Sequence, residues 1–379
     1  MTQTPTNDIR LLTVSDKKSL KRFIYLPAEL YRDQPNWVPP IYMDEWKFHD
    51  PAQNPSLQTA DTIRLLAYRD DKPVGRVMGI INHKYNEAQG EYTARFFQFD
   101  LINDAAVAQA LLEAVSQWAR AKGMNKLIGP YGFSDKDPQG LQVEGFEQLP
   151  VIATPTNPSY IPPLVEQLGF VKHLDCVSFQ LAVPERVPEL YEKIHERAVR
   201  NMQVKVLSFR SKREMKPYIV PVFRLVNETY APLFGFVPMS ETEMKRMAAQ
   251  YMPVLDPAFV KCVLNNKDEL IAFIIGMPDM SDGIRKAKGK LFPFGFLHML
   301  AAARKTKQLD LMLGAIRQDY RGRGLNALLG TELMRAASKR GFKVMDSHLV
   351  LEENRLMCAE YEKMGGKVYK RYRVYGKDL

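Results

Sequence analysis

One stretch of the chain decides the fold: residues 309–340 are LDLMLGAIRQDYRGRGLNALLGTELMRAASKR. The apolar run at 309–316 has the length and composition of a buried β-strand. A second run, 325–340, spaces its leucines three and four residues apart, as one face of a helix requires. Between them stands Arg-Gly-Arg-Gly at 321–324, whose glycines permit a tight turn. The stretch therefore predicts a strand, a glycine-rich turn and a helix.

The turn between this strand and helix has the chemistry of an anion site. Its glycines expose consecutive N–H groups at the start of a helix, where the helix dipole favours negative charge. Arg321 and Arg323 add charged donors for phosphate oxygens. A Walker loop is excluded because Gly-Lys-Ser/Thr is missing, and the dinucleotide fingerprint lacks its third glycine and its acidic residue. Taken alone, the turn is equally compatible with a solvated loop.

The composition of the chain is that of a folded globular protein. Of 379 residues, 46% are hydrophobic and 25% charged, which suffices for two domains with separate cores. The net charge of +10 favours anionic partners, whether CoA phosphates, lipid head groups or nucleic acid. Three scattered cysteines indicate neither disulfides nor a zinc site, so no metal is expected. The polar N-terminus is not a signal peptide, which predicts a cytoplasmic location.

The two halves of the chain repeat one order of elements: strand, turn, helix, stop glycine, strand, short helix, second stop glycine and strand. The joints at 121–124 and 165–169 (AKGM, VEQLG) match those at 339–342 and 361–365 (KRGF, YEKMG). The repetition indicates an internal duplication. Because Pro184 and Pro188 interrupt regular structure between the halves, we predict domains at residues 1–186 and 187–379.

Two further local patterns carry expectations. Pro39 and Pro40 lie in an aromatic-rich segment that we expect to be an irregular arm. The apolar residues at 342–349, after the stop glycine, predict one continuous strand.

The second half resembles the GNAT superfamily of acyl-CoA-dependent N-acyltransferases. The phosphate motif of that family is Gln/Arg-x-x-Gly-x-Gly/Ala, which Arg321 and Gly324 match, while Asn326 stands at its last position. Asn354 and Tyr361 continue the resemblance toward the closing strand, and the whole chain is similar to a group of bacterial double-GNAT proteins. The resemblance implies an α/β (α+β) fold of two tandem GNAT-like domains, each a mixed, mostly antiparallel sheet flanked by helices.

The resemblance also implies roles for residues of the second half. The strand before the turn would pair with the pantetheine arm of acetyl-CoA or a longer acyl-CoA. Tyr361 would protonate the leaving thiolate, and a phenol near sulfur is a workable general acid. For the base, the residues leave Asp346, His348 and Glu352 open. The expected cofactor contacts are Ala315, Ile316, Arg321, Gly322, Arg323, Gly324, Leu325, Asn326 and Asn354.

The first half lacks this machinery. Residues 100–104, after its strand, contain no glycine, and Val165 stands where the second half has Tyr361. We therefore predict one acyl-CoA site, in the second half.

A basic and aromatic insert precedes the deciding stretch. Between Asp282 and Asp310 there are many lysines and arginines but no acidic residue, and the centre at 291–300 is apolar. This pattern suits a membrane surface or an amphipathic lipid, a channel for a long acyl chain, or an internal packing segment. We include among the predictions a peripheral contact of residues 285–307 with the inner membrane surface.

The predicted function is transfer of an acyl group from acyl-CoA to a small-molecule or lipid amine, by direct attack in a ternary complex. The alternative is a non-catalytic acyl-CoA-binding or scaffold protein with degenerate GNAT domains. A nucleic-acid partner is not expected, because the basic residues match no recognition motif for DNA or RNA.

Overall fold

The computed structural model describes residues 9–379. Its strands are β1 Arg10–Thr13, β2 Ala60–Arg69, β3 Lys72–Asn82, β4 Thr93–Leu101, β5 Lys126–Gly129, β6 Leu141–Glu144, β7 Val171–Ala182, β8 Lys205–Ser208, β9 Val260–Leu264, β10 Leu270–Pro278, β11 Gln308–Ile316, β12 Val344–Asp346, β13 Val350–Leu351 and β14 Lys367–Asp378. Its helices are α1 Lys17–Leu30, α2 Tyr42–Phe48, α3 His83–Gln89, α4 Ala105–Ala121, α5 Ile161–Gln167, α6 Glu189–Met202, α7 Lys212–Met215, α8 Ile219–Tyr230, α9 Glu241–Tyr251, α10 Ser281–Lys286, α11 Gly295–Lys305, α12 Leu325–Lys339 and α13 Arg355–Lys363.

The strands of the described residues form one sheet. Its order is β1-β2-β3-β4-β5-β14-β7-β12-β11-β10-β9-β8, with β6 paired to β14 and β13 to β7. The neighbours run antiparallel except for the pairs β4–β5 and β11–β12, which are parallel. Helices flank the sheet, with α4 packed on the first half and α12 on the second. The predicted α/β (α+β) class, a mixed and mostly antiparallel sheet with flanking helices, is confirmed.

The two halves exchange their last strands. β7, which ends the first half, pairs with β12 of the second half, and β14, which ends the chain, pairs with β5 of the first. β7 and β14 also pair with each other at the centre of the sheet. Each half therefore completes the sheet of the other. The division at residues 1–186 and 187–379 stays a prediction, and its boundary falls in the link between β7 and α6.

In each half, two parallel strands pair at one end only and then separate, which leaves a V-shaped opening in the sheet. β4 pairs with β5 only at residues 93–95, and β11 pairs with β12 only at residues 308–310. The register of β11 against β10 slips at Met312, and that of β4 against β3 slips near Gln98. A bulge bends its strand and disrupts pairing. The two halves therefore share this opening as well as the order of elements.

Two local expectations were wrong. The segment expected to be irregular contains α2, whose first turn carries Asp44 and Glu45 at the positive end of the helix dipole. The strand expected at 342–349 breaks after Asp346, because His348 adopts a left-handed backbone conformation (φ 57°) that a continuous strand does not allow.

Candidate active site

The V between β11 and β12 has its apex at Asp310 and Asp346, the last residues paired across the two strands. Beyond this apex, β11 continues to Ile316 without a partner on that side, and a turn then leads into α12. The wide end of the V therefore lies beside the glycine-rich turn. An extended ligand entering from the turn can pair with the free edge of β11 and end near the two aspartates.

The turn at the start of α12 presents unpaired backbone N–H groups. Gly322 and Gly324 have φ angles of 74° and 89°, which side chains other than glycine rarely adopt. Gly324 is the N-cap of α12, and no side chain caps the helix. Within residues 9–379, no backbone carbonyl or side chain accepts from the N–H groups of residues 322–327. These donors converge where the helix dipole is positive, which is the arrangement that binds phosphate.

The matching turn of the first half is closed by its own carboxylate. Asp104 is the N-cap of α4, and its side chain accepts from the N–H groups of Ala106 and Val107 at 2.9 and 3.2 Å. Arg69 pairs with the same carboxylate at 2.7 Å. The first half thus has its own carboxylate at the position where the second half has free backbone N–H groups.

The predicted phosphate contacts lie around the open turn. Arg321, Gly322 and Arg323 are exposed, and the Arg321 Nε donates to the Ile316 carbonyl at 3.2 Å. Asn326 is also exposed, in the first turn of α12. The Leu325 side chain, in contrast, is buried in the core beneath the helix. Only its backbone N–H therefore faces the turn.

The free edge of β11 carries one contact that replaces strand pairing. The Tyr230 hydroxyl, at the end of α8, donates to the Gly314 carbonyl at 2.8 Å. Ala315 is buried and Ile316 is half-buried at the end of the strand. This edge is where the resemblance to GNAT proteins would place the pantetheine arm, and α8 covers it from one side.

Tyr361 lies on α13 and stacks on Phe179 of β7, with ring centroids 5.3 Å apart. Burial raises the pKa of the Tyr361 hydroxyl above its ordinary value, and the nearby Tyr230 and Asp346 raise it further. Because the phenol keeps its proton across the physiological range, it is suited to donate one. The stacking partner comes from the first half, so the strand exchange fixes the position of this ring.

Asn354 and Glu352 are engaged in contacts within the chain. The Asn354 side chain caps α13 by accepting from the Met357 N–H at 3.3 Å. Glu352 pairs with Arg371 at 2.6 Å and with Lys172 at 3.0 Å. These cations lower the pKa of the Glu352 carboxyl, which makes it a weaker base. Their predicted roles at the cofactor and as a base stay predictions.

Asp346 belongs to a buried acidic group at the apex. Its Oδ1 accepts from the backbone N–H of His348 at 2.6 Å, and its Oδ2 accepts from the Tyr369 hydroxyl. The register of β14 slips at Tyr369, and the bulge directs this side chain toward Asp346. The ring of His348 points away, with its Nε2 3.1 Å from the Ile152 carbonyl. The carboxylate and the phenol together form a path for a proton.

Sequence reasoning missed Asp310, the partner of Asp346 in register. Its side chain is fully buried, and its Oδ2 has no hydrogen-bond partner within the described residues. Burial raises the pKa of the Asp310 carboxyl well above its ordinary value, and the neighbouring Asp279 and Asp346 raise it further. The available signal was a single acid in the apolar run at 309–316, since burying a carboxyl costs free energy unless it is paired, hydrogen-bonded or neutralised.

The replacement D310N is expected to stabilise the chain increasingly as pH rises above about 4. In that range the unfolded chain releases the Asp310 proton while the native chain retains it. The wild type therefore loses up to about 1.4 kcal/mol per pH unit relative to D310N, until pH passes the native pKa. Urea unfolding of both chains from pH 5 to pH 8 measures the difference.

The replacement D104N is the matched control for this measurement. Arg69 lowers the pKa of the Asp104 carboxyl, so this carboxyl is ionised in both the native and the unfolded chain above about pH 4, and D104N is expected to destabilise the chain by an amount that does not change between about pH 5 and pH 8. A D310N difference that does not change with pH would contradict the assignment of a retained proton to Asp310.

Two known bacterial proteins are similar to this chain over nearly its whole length. No protein-family profile matches the chain. The bacterial ceramide synthase of Caulobacter vibrioides (strain NA1000 / CB15N) is 27% identical over 379 residues, covering 98% of both chains. Protein YghO of Escherichia coli (strain K12) is 27% identical over 377 residues, covering 97% of this chain and 95% of its own.

Solved structures match along the whole chain. A tandem GNAT protein from the clavulanic acid biosynthesis pathway has a TM-score of 0.55 at 11% identity, covering 98% of both chains. The chain has the tandem GNAT fold. A GCN5-related N-acetyltransferase from Sphaerobacter thermophilus also matches, with a TM-score of 0.52 at 12% identity over 99% of this chain and 97% of its own. The resemblance inferred from residues 321–326 is therefore confirmed at the level of fold.

Two further findings concern metal binding and membrane crossing in this tandem GNAT fold. Within residues 9–379, no group of three or more His, Cys, Asp or Glu side chains is arranged to hold a metal ion. None of the helices in the same range combines the length and the apolar composition that crossing a bilayer requires.

Proposed function

We propose that the chain is an acyl-CoA-dependent N-acyltransferase with one active site, at the V between β11 and β12. The observation that carries the proposal is the uncapped start of α12, where the N–H groups of residues 322–327 are free. The first half has the same framework but fills the equivalent position with Asp104. Among the described residues, the open anion site at this position therefore belongs to the second half.

The cofactor would be held along the open edge of the V. Its pyrophosphate takes the free N–H groups of the turn, with charge from Arg321 and Arg323. Its pantetheine arm pairs with β11 near Ala315 and Ile316 and brings the thioester toward the apex. Acetyl-CoA and longer acyl-CoA share these contacts, since both carry the same nucleotide and arm.

Two phenols and a carboxylate would then carry the proton transfers. The amine nitrogen attacks the thioester carbonyl, so that a C–N bond forms and the C–S bond breaks. Tyr361 donates its proton to the departing sulfur. Asp346 takes the proton of the amine through the Tyr369 hydroxyl, which is half-buried and bonded to the carboxylate. The amine therefore attacks directly, with donor and acceptor bound together.

We further propose that the acceptor is an amphipathic or lipid amine. A ceramide is an N-acylated long-chain amine, and the relative from Caulobacter vibrioides is named for making one. The insert before β11 is apolar and basic, as an amphipathic acceptor would require.

The binding half of the proposal is tested by titrating CoA into the chain in a calorimeter. We expect one CoA per chain, and G324D is expected to bind at least about tenfold more weakly than G324N, a difference of about 1.4 kcal/mol. Both variants place a side chain at a positive φ, so the backbone strain is matched. The aspartate adds a charge that repels phosphate, at the N-cap position that Asp104 occupies in the first half.

Two results would count against this site. Equal CoA affinity of G324D and G324N means that the pyrophosphate binds elsewhere. A stoichiometry of two CoA per chain means that the first half also binds, despite its carboxylate cap.

A further inference from the structure

The insert between β10 and β11 exposes a cluster of large apolar side chains, here called the apolar tip (residues 292–300). The exposed members are Phe292 (71%), Phe294 (69%), Leu297 (50%), Leu300 (41%) and Phe296 (40%). Single exposed apolar residues are common on protein surfaces, but a contiguous cluster marks an interaction site. Five such side chains within nine residues therefore require a partner.

Tight packing below holds the apolar tip outward. A Cβ at Gly283 of α10 would lie 2.6 Å from the His298 carbonyl of α11, so the two helices touch through their backbones. Met299 of α11 points inward, into a cluster with Met280 and Ile284. The loop between the helices is tied to the start of α2, where the Tyr42 N–H donates to the Gly289 carbonyl at 3.0 Å. The exposed rings cannot turn inward without breaking these contacts.

Basic side chains flank the apolar tip on both sides in the sequence. Asp282 pairs with Arg285 and Lys286 at the far end of α10, and no acidic residue follows it before Asp310. Within the described residues, the remaining cations of the insert form no ion pair, and they are exposed: Lys288, Lys290, Arg304, Lys305 and Lys307. Exposed aromatic side chains flanked by unpaired lysines and an arginine suit the interface of an anionic bilayer, where rings enter the head-group region and cations meet phosphates.

The insert that carries the apolar tip packs on the same face of the sheet as the Asp310 side chain. Leu309 and Leu311 of β11 pack with the core under α12, so Asp310 between them faces the opposite side. Met312, at the bulge of β11, packs on the inward cluster of α10 and α11. The insert thus covers the face of β11 that carries the acidic group at the apex.

We propose that the apolar tip and its lysines dock the chain on an anionic phospholipid surface. The charge and the shape of this surface together indicate a phospholipid bilayer as the partner. The apolar tip has projecting rings, and the insert around it has unpaired cations and no acidic residue between Asp282 and Asp310. On the proposed function, a lipid amine would then pass from the bilayer to the apex of the V without crossing water.

Sedimentation of the full chain with lipid vesicles tests the docking. We expect binding to vesicles of phosphatidylcholine with phosphatidylglycerol, weakened by salt, and much weaker binding to phosphatidylcholine alone. The variant F292S/F294S is expected to lower partitioning at least about 100-fold, and K288E/K290E at least about tenfold. The control variant V171S/L190S alters side chains that are 67% and 65% exposed but remote in sequence from the insert, and it is expected to partition like the wild type.

Three outcomes would overturn the docking proposal: equal binding to neutral vesicles, unchanged binding of F292S/F294S, or a wild-type dimer that this variant converts to a monomer in light scattering. Thermal unfolding of each variant checks that it is folded. D346N is expected to bind vesicles like the wild type. Transfer without vesicle binding therefore contradicts the docking alone, and vesicle binding without transfer contradicts the proposed function alone.

Discussion

Replacing Tyr361 by Phe is expected to lower kcat by about 100- to 10,000-fold, because the variant has no proton to give the leaving thiolate. The ring is expected to keep its position, since a phenyl group preserves the stack on Phe179 at 5.3 Å. The Kd for acyl-CoA should therefore stay within about threefold of the wild type, which separates loss of chemistry from loss of binding. Release of free thiol from acyl-CoA with an amine present measures the rate.

The replacement Y191F is a matched control. The Tyr191 hydroxyl donates to the Lys363 carbonyl at 3.1 Å, at the end of α13 that carries Tyr361. It supports the same helix but lies away from the V, so a small effect on kcat is expected. If Y361F transfers acyl groups at nearly the wild-type rate, Tyr361 is a packing residue. If the wild type binds acyl-CoA but releases thiol with no amine tried, the chain is an acyl-CoA-binding protein instead.

Replacing Asp346 by Asn is expected to lower kcat/KM by about 100- to 10,000-fold, because the amide cannot accept the proton of the amine. The amide keeps an oxygen for the His348 N–H and can still meet the Tyr369 hydroxyl, so the local structure should persist. The loss then reports the missing base. The kcat/KM of both chains at one pH, with a lipid amine and acyl-CoA, measures it.

Variants at Tyr369 and Glu352 distinguish two possible routes for the proton of the amine. If Tyr369 relays the proton to Asp346, Y369F should lose nearly as much activity as D346N, and the double variant should lose little more, because the two residues act as one unit. E352Q should stay within about threefold of the wild type, since Glu352 is held by Arg371 and Lys172. A large loss in E352Q with an active D346N would transfer the role of base to Glu352.

The site could be predicted from the sequence only where its geometry is local. The turn at 321–324 joins a strand to a helix within a few residues, so its glycines and its uncapped helix start follow from the sequence alone. The contrast with Asp104 was visible in the same way, as a glycine-free stretch at the matching position. The place of Tyr361 relative to the turn came from the resemblance to a family, because its partner Phe179 lies in the other half of the chain.

The rest of the site depends on contacts between distant strands. Asp310, Asp346 and Tyr369 lie on β11, β12 and β14, and they meet because these strands share one sheet and β14 is bulged. No spacing in the sequence encodes that meeting, since a slip of one residue in register would turn a side chain to the other face. The bulge at Tyr369 leaves no signal in composition.

The sequence by itself determined the alternation of strands and helices, the duplicated order and the open turn before α12, because propensity, periodicity and capping act over a few residues. The tertiary structure alone decided that β7 and β14 change places between the halves, that an acidic group forms at the apex and that the apolar tip faces solvent. These features depend on which distant segments pair and pack. Their free energy comes from burial and strand pairing across the whole chain, which no local window of sequence contains.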